Sequence, residues 1–87
     1  MHRVICERRV FKDLESIPSL DVERIRECFK GLSVDPFPPG FKKLSGSLGL
    51  YRIRQGNYRI IYAVVRQEKE VRVLLVRHRK DSYRKFP

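Results

Sequence analysis

The spacing of apolar residues changes along this chain, from helical in the first half to alternating in the second. Residues 3–7 alternate weakly and favour a strand, whereas residues 8–16 and 19–30 place apolar side chains three and four positions apart. Pro18 cannot continue a helix, so these two segments predict a pair of helices joined by a turn.

The second predicted helix has the strongest amphipathic pattern. Ser19 is its expected N-cap and Gly31 its expected end. One apolar stripe comprises Val22, Ile25, Cys28, Phe29 and Leu32. We expect this stripe to pack on another layer. Cys6 and Cys28 are then small core residues, since two cysteines at this spacing form neither a disulfide framework nor a metal site.

The second half of the chain alternates as strands do. Three prolines and a glycine within residues 36–40 predict a connecting loop before it. The predicted strands span residues 50–54, 58–65 and 71–76. Gln55, Gly56 and Asn57 supply the first turn and residues 66–70 the second. The polar tail that follows is expected to form a short helix or arm.

These elements predict a single α+β domain over residues 1–87, with a strand and a two-helix hairpin packed on an antiparallel sheet of about four strands. No apolar run is long enough to cross a bilayer, and the N-terminal segment lacks the apolar stretch of a signal peptide. We therefore expect a soluble protein of the cytoplasm.

Charge is distributed unevenly between the two halves. Residues 1–40 contain seven basic and seven acidic residues, whereas residues 41–87 contain thirteen basic and three acidic ones. The whole net charge of +10 therefore belongs to the second half. This segregation favours a polyanionic partner, either nucleic acid or an acidic protein surface. A membrane surface is disfavoured, because no basic amphipathic helix is present.

Alternation places the arginines of the predicted hairpin on one face of the sheet. Arg52 and Arg54 point away from the apolar residues of their strand, and Arg59 does the same on the next strand. Folding at Gly56 brings Arg54 close to Arg59. A solvated sheet face accounts for each arginine singly. However, no acid occurs within residues 50–65, so the set is better explained by an anionic ligand.

The end of the last predicted strand lies beside this hairpin, which adds His78 and Arg79 to the set, with Tyr83 and Arg84 within reach. Arginine binds phosphate bidentately and stabilises developing negative charge, and an aromatic ring stacks on a base. The second half offers no carboxylate cluster for Mg²⁺. A nuclease built from these residues would need no metal or cofactor, and its nucleophile would be the 2′-hydroxyl of RNA.

Two segments, YRIRQGNYRIIYAV and VRVLLVRHRKDSYRK, together with the preceding KKLSGSLGLYRIR, resemble the RelE/ParE superfamily of toxins from toxin–antitoxin pairs. The resemblance covers nearly the whole chain and implies a RelE-like fold. It also implies a toxin that enters the ribosomal A site and cuts messenger RNA by 2′-hydroxyl attack. Its partner would be an antitoxin whose acidic segment covers the basic face in a hetero-oligomer.

The resemblance implies functional roles for Arg52, Arg54, Arg59, Arg79 and Tyr83. With His78 added, the predicted catalytic set is Arg54, Arg59, His78, Arg79 and Tyr83. The predicted RNA-binding set is Lys43, Arg52, Arg54, Lys80 and Arg84. Arg59 and Arg79 suit a phosphate clamp, whereas Tyr83 would orient or deprotonate the 2′-hydroxyl, or stack on the base. His78 is the candidate general acid, because the reference pKa of histidine lies near neutrality.

Some members of the superfamily carry lysines where this chain has Arg52 and Arg54. An arginine effectively cannot lose its proton, so these residues are better electrostatic stabilisers than bases. Two other functions stay open at this point. The ParE branch shares the fold and inhibits DNA gyrase without cleaving RNA, and a non-catalytic RNA-binding module would show the same basic face.

Overall fold

A computed structural model describes residues 1–44 and 49–80. Its two helices are α1 (Arg8–Glu15) and α2 (Ser19–Val34). Its strands are β1 (Arg3–Cys6), β2 (Lys42–Lys43), β3 (Leu50–Gln55), β4 (Tyr58–Val65) and β5 (Glu70–His78). A short 3-10 turn at Arg66–Glu68 joins β4 to β5. The α+β class and the order of the main elements are as predicted.

The five strands form one sheet in the order β1-β5-β4-β3-β2. The prediction of about four antiparallel strands is wrong in two details. First, β1 pairs parallel with β5, from which both helices and three strands separate it along the chain, enough for the long connection that a parallel pair needs. Second, β2 pairs with β3 through two residues only, which is too short to produce a detectable alternation.

The second helix extends one turn beyond its predicted end. Gly31 lies within α2, where it is exposed and no neighbouring atom crowds it. The helix ends when the Asp35 amide donates to the Gly31 carbonyl at 2.9 Å, and Pro36 follows directly. At the other end Pro18 is the N-cap, so Ser19 is the first helical residue rather than the cap.

The core lies between the helices and one face of the sheet. Its fully buried side chains are Val10, Ile25, Leu32, Ile60, Tyr62, Val71 and Val73. The Tyr62 hydroxyl donates to the Pro36 carbonyl at 2.8 Å and so satisfies a buried acceptor of the proline loop. Burial raises the pKa of this phenol, and Cys28, Tyr51 and Asp35 add to the effect.

Cys6 and Cys28 are free thiols that pack half-buried against this core, as predicted for small core residues. Burial raises the pKa of both thiols, which disfavours the reactive thiolate. None of the described helices is long and apolar enough to cross a membrane.

Candidate nucleic-acid interface

The hairpin between β3 and β4 sets the geometry of the basic face. Its loop consists of Gly56 and Asn57, and only Gly56 has a positive φ, of 61°. A positive φ at the first loop residue alone matches the type II′ turn, whose twist suits a tight hairpin. The resulting register pairs Arg54 with Arg59 directly across the two strands.

The same register extends a basic surface across four strands. Arg59 pairs with Arg77 on β5, so three arginines form a row across the sheet. One step along, Arg52 pairs with Lys42 on one side and with Ile61 on the other. We call the outward set the arginine face; it comprises Lys42, Arg52, Arg54, Arg59 and Arg77. In the described strands, no acidic residue occupies a position of these two rows.

The opposite end of the outer sheet surface is arranged differently, because there each arginine has a carboxylate partner. Glu70 is 3% exposed, and it accepts from Arg3 at 3.3 Å and from Arg72 at 2.8 Å. Arg72 also donates to Glu7 at 3.0 Å. These ion pairs raise the pKa of Arg72, with the Glu7 hydrogen bond as the largest cause. Cations are therefore neutralised at one end of the surface and left without acids at the other.

Two guanidinium nitrogens of the arginine face are buried without a hydrogen-bond partner, Nη1 of Arg52 and Nε of Arg59. Arg52 is only 9% exposed. Burial lowers its pKa, and the charges of Arg54 and Arg59 lower it further. A buried donor without an acceptor is costly, and more so when it is charged. An anion bound here would supply the missing acceptors and the missing opposite charge.

A cleft of about 490 Å³ opens beside this row, lined by Arg54, Gly56, Tyr58, Arg59, Arg79 and Lys80. The Arg79 amide donates to the Asn57 carbonyl at 2.7 Å, which fixes the chain after β5 against the hairpin turn. Arg59 and Arg79, the pair expected to clamp a phosphate, thus line one cleft with Arg54 and Lys80. We call this the arginine cleft. Tyr83 and Arg84 lie outside the described residues.

Two predicted site residues lie on the other side of the sheet. Lys43 pairs with Tyr51, so it shares the helix side, whereas its neighbour Lys42 shares the arginine face. His78 pairs with Tyr58 and meets its ring edge-on, with the centroids 5.3 Å apart. The expected convergence of His78 with the arginines therefore does not occur.

A β-bulge in β5 accounts for the position of Arg77, rather than His78, on the arginine face. The register passes from Tyr62–Val73 to Ile61–Leu75, so one residue of β5 is left without a cross-strand partner. Beyond this point Val76 joins the core and Arg77 turns outward to pair with Arg59. The place of His78 at the end of the predicted strand did not reveal which face it shares, and the sequence carries no clear signal of the bulge.

A second cleft, of about 320 Å³, lies where the end of α1 meets the sheet. It is lined by Asp13, Ser16, Ile17, Tyr58, Val76, Arg77 and His78. Tyr58 therefore borders both clefts. One carboxylate oxygen of Asp13 accepts from the Val76 amide at 3.0 Å, which ties α1 to β5. Within residues 1–44 and 49–80, no three His, Cys, Asp or Glu side chains gather as metal ligands do.

Comparison with known proteins places these features in a family. Residues 4–83 match the model of the ParE toxins of type II toxin–antitoxin systems. Toxin RelE3 of Methanocaldococcus jannaschii is 35% identical over 89 residues, which cover 98% of this chain and 99% of that protein. A putative toxin RelE1 of the same organism is 29% identical over 93% of both chains.

Solved structures show the same similarity. The archaeal RelE–RelB complex from Pyrococcus horikoshii OT3 contains a chain 34% identical to this one, with a TM-score of 0.81 over 90% of this chain and 94% of that one. The RelB–RelE antitoxin–toxin complex from Methanococcus jannaschii gives 29% identity and a TM-score of 0.79, over 95% and 99%.

Proposed function

Because this chain belongs to the RelE/ParE superfamily and is the toxin of a toxin–antitoxin pair, we propose that it is a ribosome-dependent endoribonuclease. It cleaves messenger RNA in the ribosomal A site and thereby stops translation in the cytoplasm. The observation that carries this proposal is the pair of buried guanidinium nitrogens without acceptors, in a row of cations without acids. Such a surface would stabilise a phosphodiester as it gains negative charge in the transition state.

In the proposed reaction the 2′-oxygen attacks the adjacent phosphorus while the bond from phosphorus to the 5′-oxygen breaks. The products are a 2′,3′-cyclic phosphate and a 5′-hydroxyl end. Arg59 and Arg79 hold the phosphate in the arginine cleft, and Arg52 and Arg54 stabilise the charge of the pentacoordinate transition state. No arginine here acts as a base, because its proton is too tightly held.

The 2′-hydroxyl loses its proton as it attacks, and the departing 5′-oxygen takes up a proton from water. We propose Tyr83 as the residue that orients or deprotonates the 2′-hydroxyl. His78 was the sequence-based candidate for general acid, but its position across Tyr58 from the arginine row does not support that role. No metal ion or cofactor takes part in the proposed reaction.

We also propose that an antitoxin holds this toxin inactive in a hetero-oligomer, with an acidic segment over the arginine face. Support comes from the similar chains of the Pyrococcus and Methanococcus structures, each of which is in a complex of RelE with RelB. Charge complementarity supports the acidic segment, since the two arginine rows have no acids of their own in the described strands.

A second function is favoured by one observation: the family model that matches residues 4–83 is that of the ParE toxins. A ParE-like toxin would inhibit DNA gyrase and leave messenger RNA intact. A third function, RNA binding without cleavage, would use the same arginine face but yield no product.

Induced expression followed by mapping of messenger RNA ends separates these functions. The nuclease predicts new ends within codons of translated messages for the wild type, and their loss for Arg59→Ala. Arg26→Ala removes one exposed charge from α2 and serves as the matched control, with cleavage as in the wild type. Intact messages together with inhibited supercoiling would establish the gyrase inhibitor instead.

A further inference from the structure

We propose that the second cleft binds a nucleobase of the RNA whose phosphate occupies the arginine cleft, and that Asp13 selects bases with an exocyclic amino group. This inference rests on the proposed function, because it assumes an RNA ligand. It names a base-reading site whose lining includes side chains of the helix side of the sheet, together with Arg77 at its margin.

The two clefts share a lining residue. Tyr58 lines both of them, so the two clefts adjoin at this residue. A nucleotide strand that passes over Tyr58 can therefore place a phosphate among the arginines and a neighbouring base in the second cleft. Its volume of about 320 Å³ is ample for one base.

Asp13 supplies a hydrogen-bond acceptor in the second cleft. One of its carboxylate oxygens, Oδ2, is occupied by the Val76 amide at 3.0 Å. The other, Oδ1, accepts no hydrogen bond from the described residues. A carboxylate in a basic region opposes phosphate binding, but it is a good acceptor for the amino group of a base. Uracil has a carbonyl at that position and would be repelled.

His78 supplies a donor in the same cleft. Its Nδ1 accepts a hydrogen bond from the Lys80 amide at 3.2 Å, so the neutral ring carries its proton on Nε2. Cytosine and adenine each present an amino group beside a ring nitrogen acceptor. The carboxylate of Asp13 can accept from the amino group while His78 donates to the ring nitrogen. Uracil presents a carbonyl acceptor beside a ring N–H donor, which is the opposite arrangement. Ile17 and Val76 complete an apolar wall, and Tyr58 adds an aromatic one.

The site can be tested without the arginine cleft by use of nucleosides, which have no phosphate. NMR titration of the toxin with cytidine and with uridine follows the signals of Val76, His78 and Tyr58. We expect saturable shifts with cytidine and binding of uridine weaker by about fivefold or more. Equal binding of the two nucleosides, or no saturable shift with either, overturns the proposal.

Two variants distinguish this proposal from the proposed nuclease. Asp13→Asn keeps one side-chain oxygen to accept from the Val76 amide, so the fold should be retained. It replaces the other oxygen, an acceptor, with an amide NH₂ group, a donor. The preference for cytidine should therefore vanish or reverse. Arg59→Ala should leave nucleoside binding unchanged. An unaltered preference in Asp13→Asn would refute the role of Asp13.

The two proposals then fail separately. If messenger RNA is not cut but cytidine is preferred through Asp13, the base site stands and the nuclease is wrong. If messenger RNA is cut and Asp13→Asn binds both nucleosides as the wild type does, the nuclease stands and the base site is wrong.

Discussion

Arg54 and Arg59 lie directly opposite each other across β3 and β4, two like charges at the closest cross-strand position. Like charges so placed destabilise a sheet, and Arg77 extends the row on the far side of Arg59. At the other end of the same surface the protein neutralises its arginines with Glu7 and Glu70. The unneutralised row therefore lowers local stability, and an anion bound there would offset that cost.

Removal of Arg54 should therefore stabilise the fold and weaken the function. We expect Arg54→Gln to raise the free energy of unfolding by about 0.2–1 kcal/mol, because it relieves the repulsion with Arg59. Urea unfolding at low salt measures this, with Arg26→Gln on α2 as the control that removes one charge elsewhere. RNA affinity should fall in the same variant. A less stable Arg54→Gln would contradict the description of the row as unneutralised.

Lys42 and Lys43 offer a test of which face contacts RNA. They are adjacent and both exposed, but Lys42 pairs with Arg52 on the arginine face and Lys43 with Tyr51 on the helix side. Lys42→Ala should weaken binding to single-stranded RNA and reduce the slope of log affinity against log salt by about 0.7. Lys43→Ala, with the same change in net charge, should have little effect. Equal effects would mean that net charge alone governs binding.

A substitution at Arg77 tests whether the bulge in β5 adds this residue to the RNA-binding surface. Because the bulge turns Arg77 outward beside Arg59, Arg77→Ala should reduce RNA affinity and the salt slope as a phosphate contact does. Arg66→Ala is the control, in the 3-10 turn that follows β4, where the guanidinium lies over the Phe37 ring with its carbon 5.1 Å from the ring centroid. If only Arg66→Ala reduced the slope, the RNA path across the sheet would be wrong.

Tyr62 should make stability sensitive to alkaline pH. Its pKa is raised in the folded state, so the folded protein retains a proton that the unfolded chain releases above about pH 10. Stability from this group is complete below that pH and is lost as the pH rises further. Tyr62→Phe removes this dependence but leaves the Pro36 carbonyl without its donor, at a cost of about 1–3 kcal/mol near neutrality.

Urea unfolding of both proteins at about pH 8 and about pH 11 measures the effect. The difference in free energy of unfolding between wild type and Tyr62→Phe should shrink at the higher pH. Cys6 and Cys28 also titrate in this range, but both proteins contain them, so their contributions largely cancel. A constant difference would show that the phenol stays protonated in the unfolded chain or ionises in the folded one.

The local elements and the outward direction of Arg52, Arg54 and Arg59 were predictable from the sequence, because alternation within a hairpin depends on neighbouring residues. The features that were missed depend on contacts between distant segments. The parallel pairing of β1, the two-residue β2 and the bulge in β5 are all of this kind. The bulge matters most for the site, since it exchanges His78 for Arg77 on the arginine face.

The burial of charge was also beyond the sequence pattern. Glu70 was expected in a polar turn, but it lies in β5 and is almost fully buried between Arg3 and Arg72. Likewise, alternation indicated that Arg52 points outward, not that one of its nitrogens would be buried without a partner. Such burial depends on contacts between neighbouring strands, which the residue pattern of a single strand does not encode.

In the proposed reaction the arginine face holds a phosphodiester of the RNA while the 2′-hydroxyl of the adjacent ribose attacks the phosphorus. The most direct measurement uses purified ribosomes that carry a defined messenger RNA with an empty A site. The wild-type toxin should cut the A-site codon and leave a 2′,3′-cyclic phosphate. One 2′-deoxynucleotide at the cut position should abolish that cut, and Arg59→Ala should slow it by about 100-fold or more, as loss of a transition-state donor does. Cleavage that persists at the deoxynucleotide, or that is unaffected by Arg59→Ala, would contradict the account.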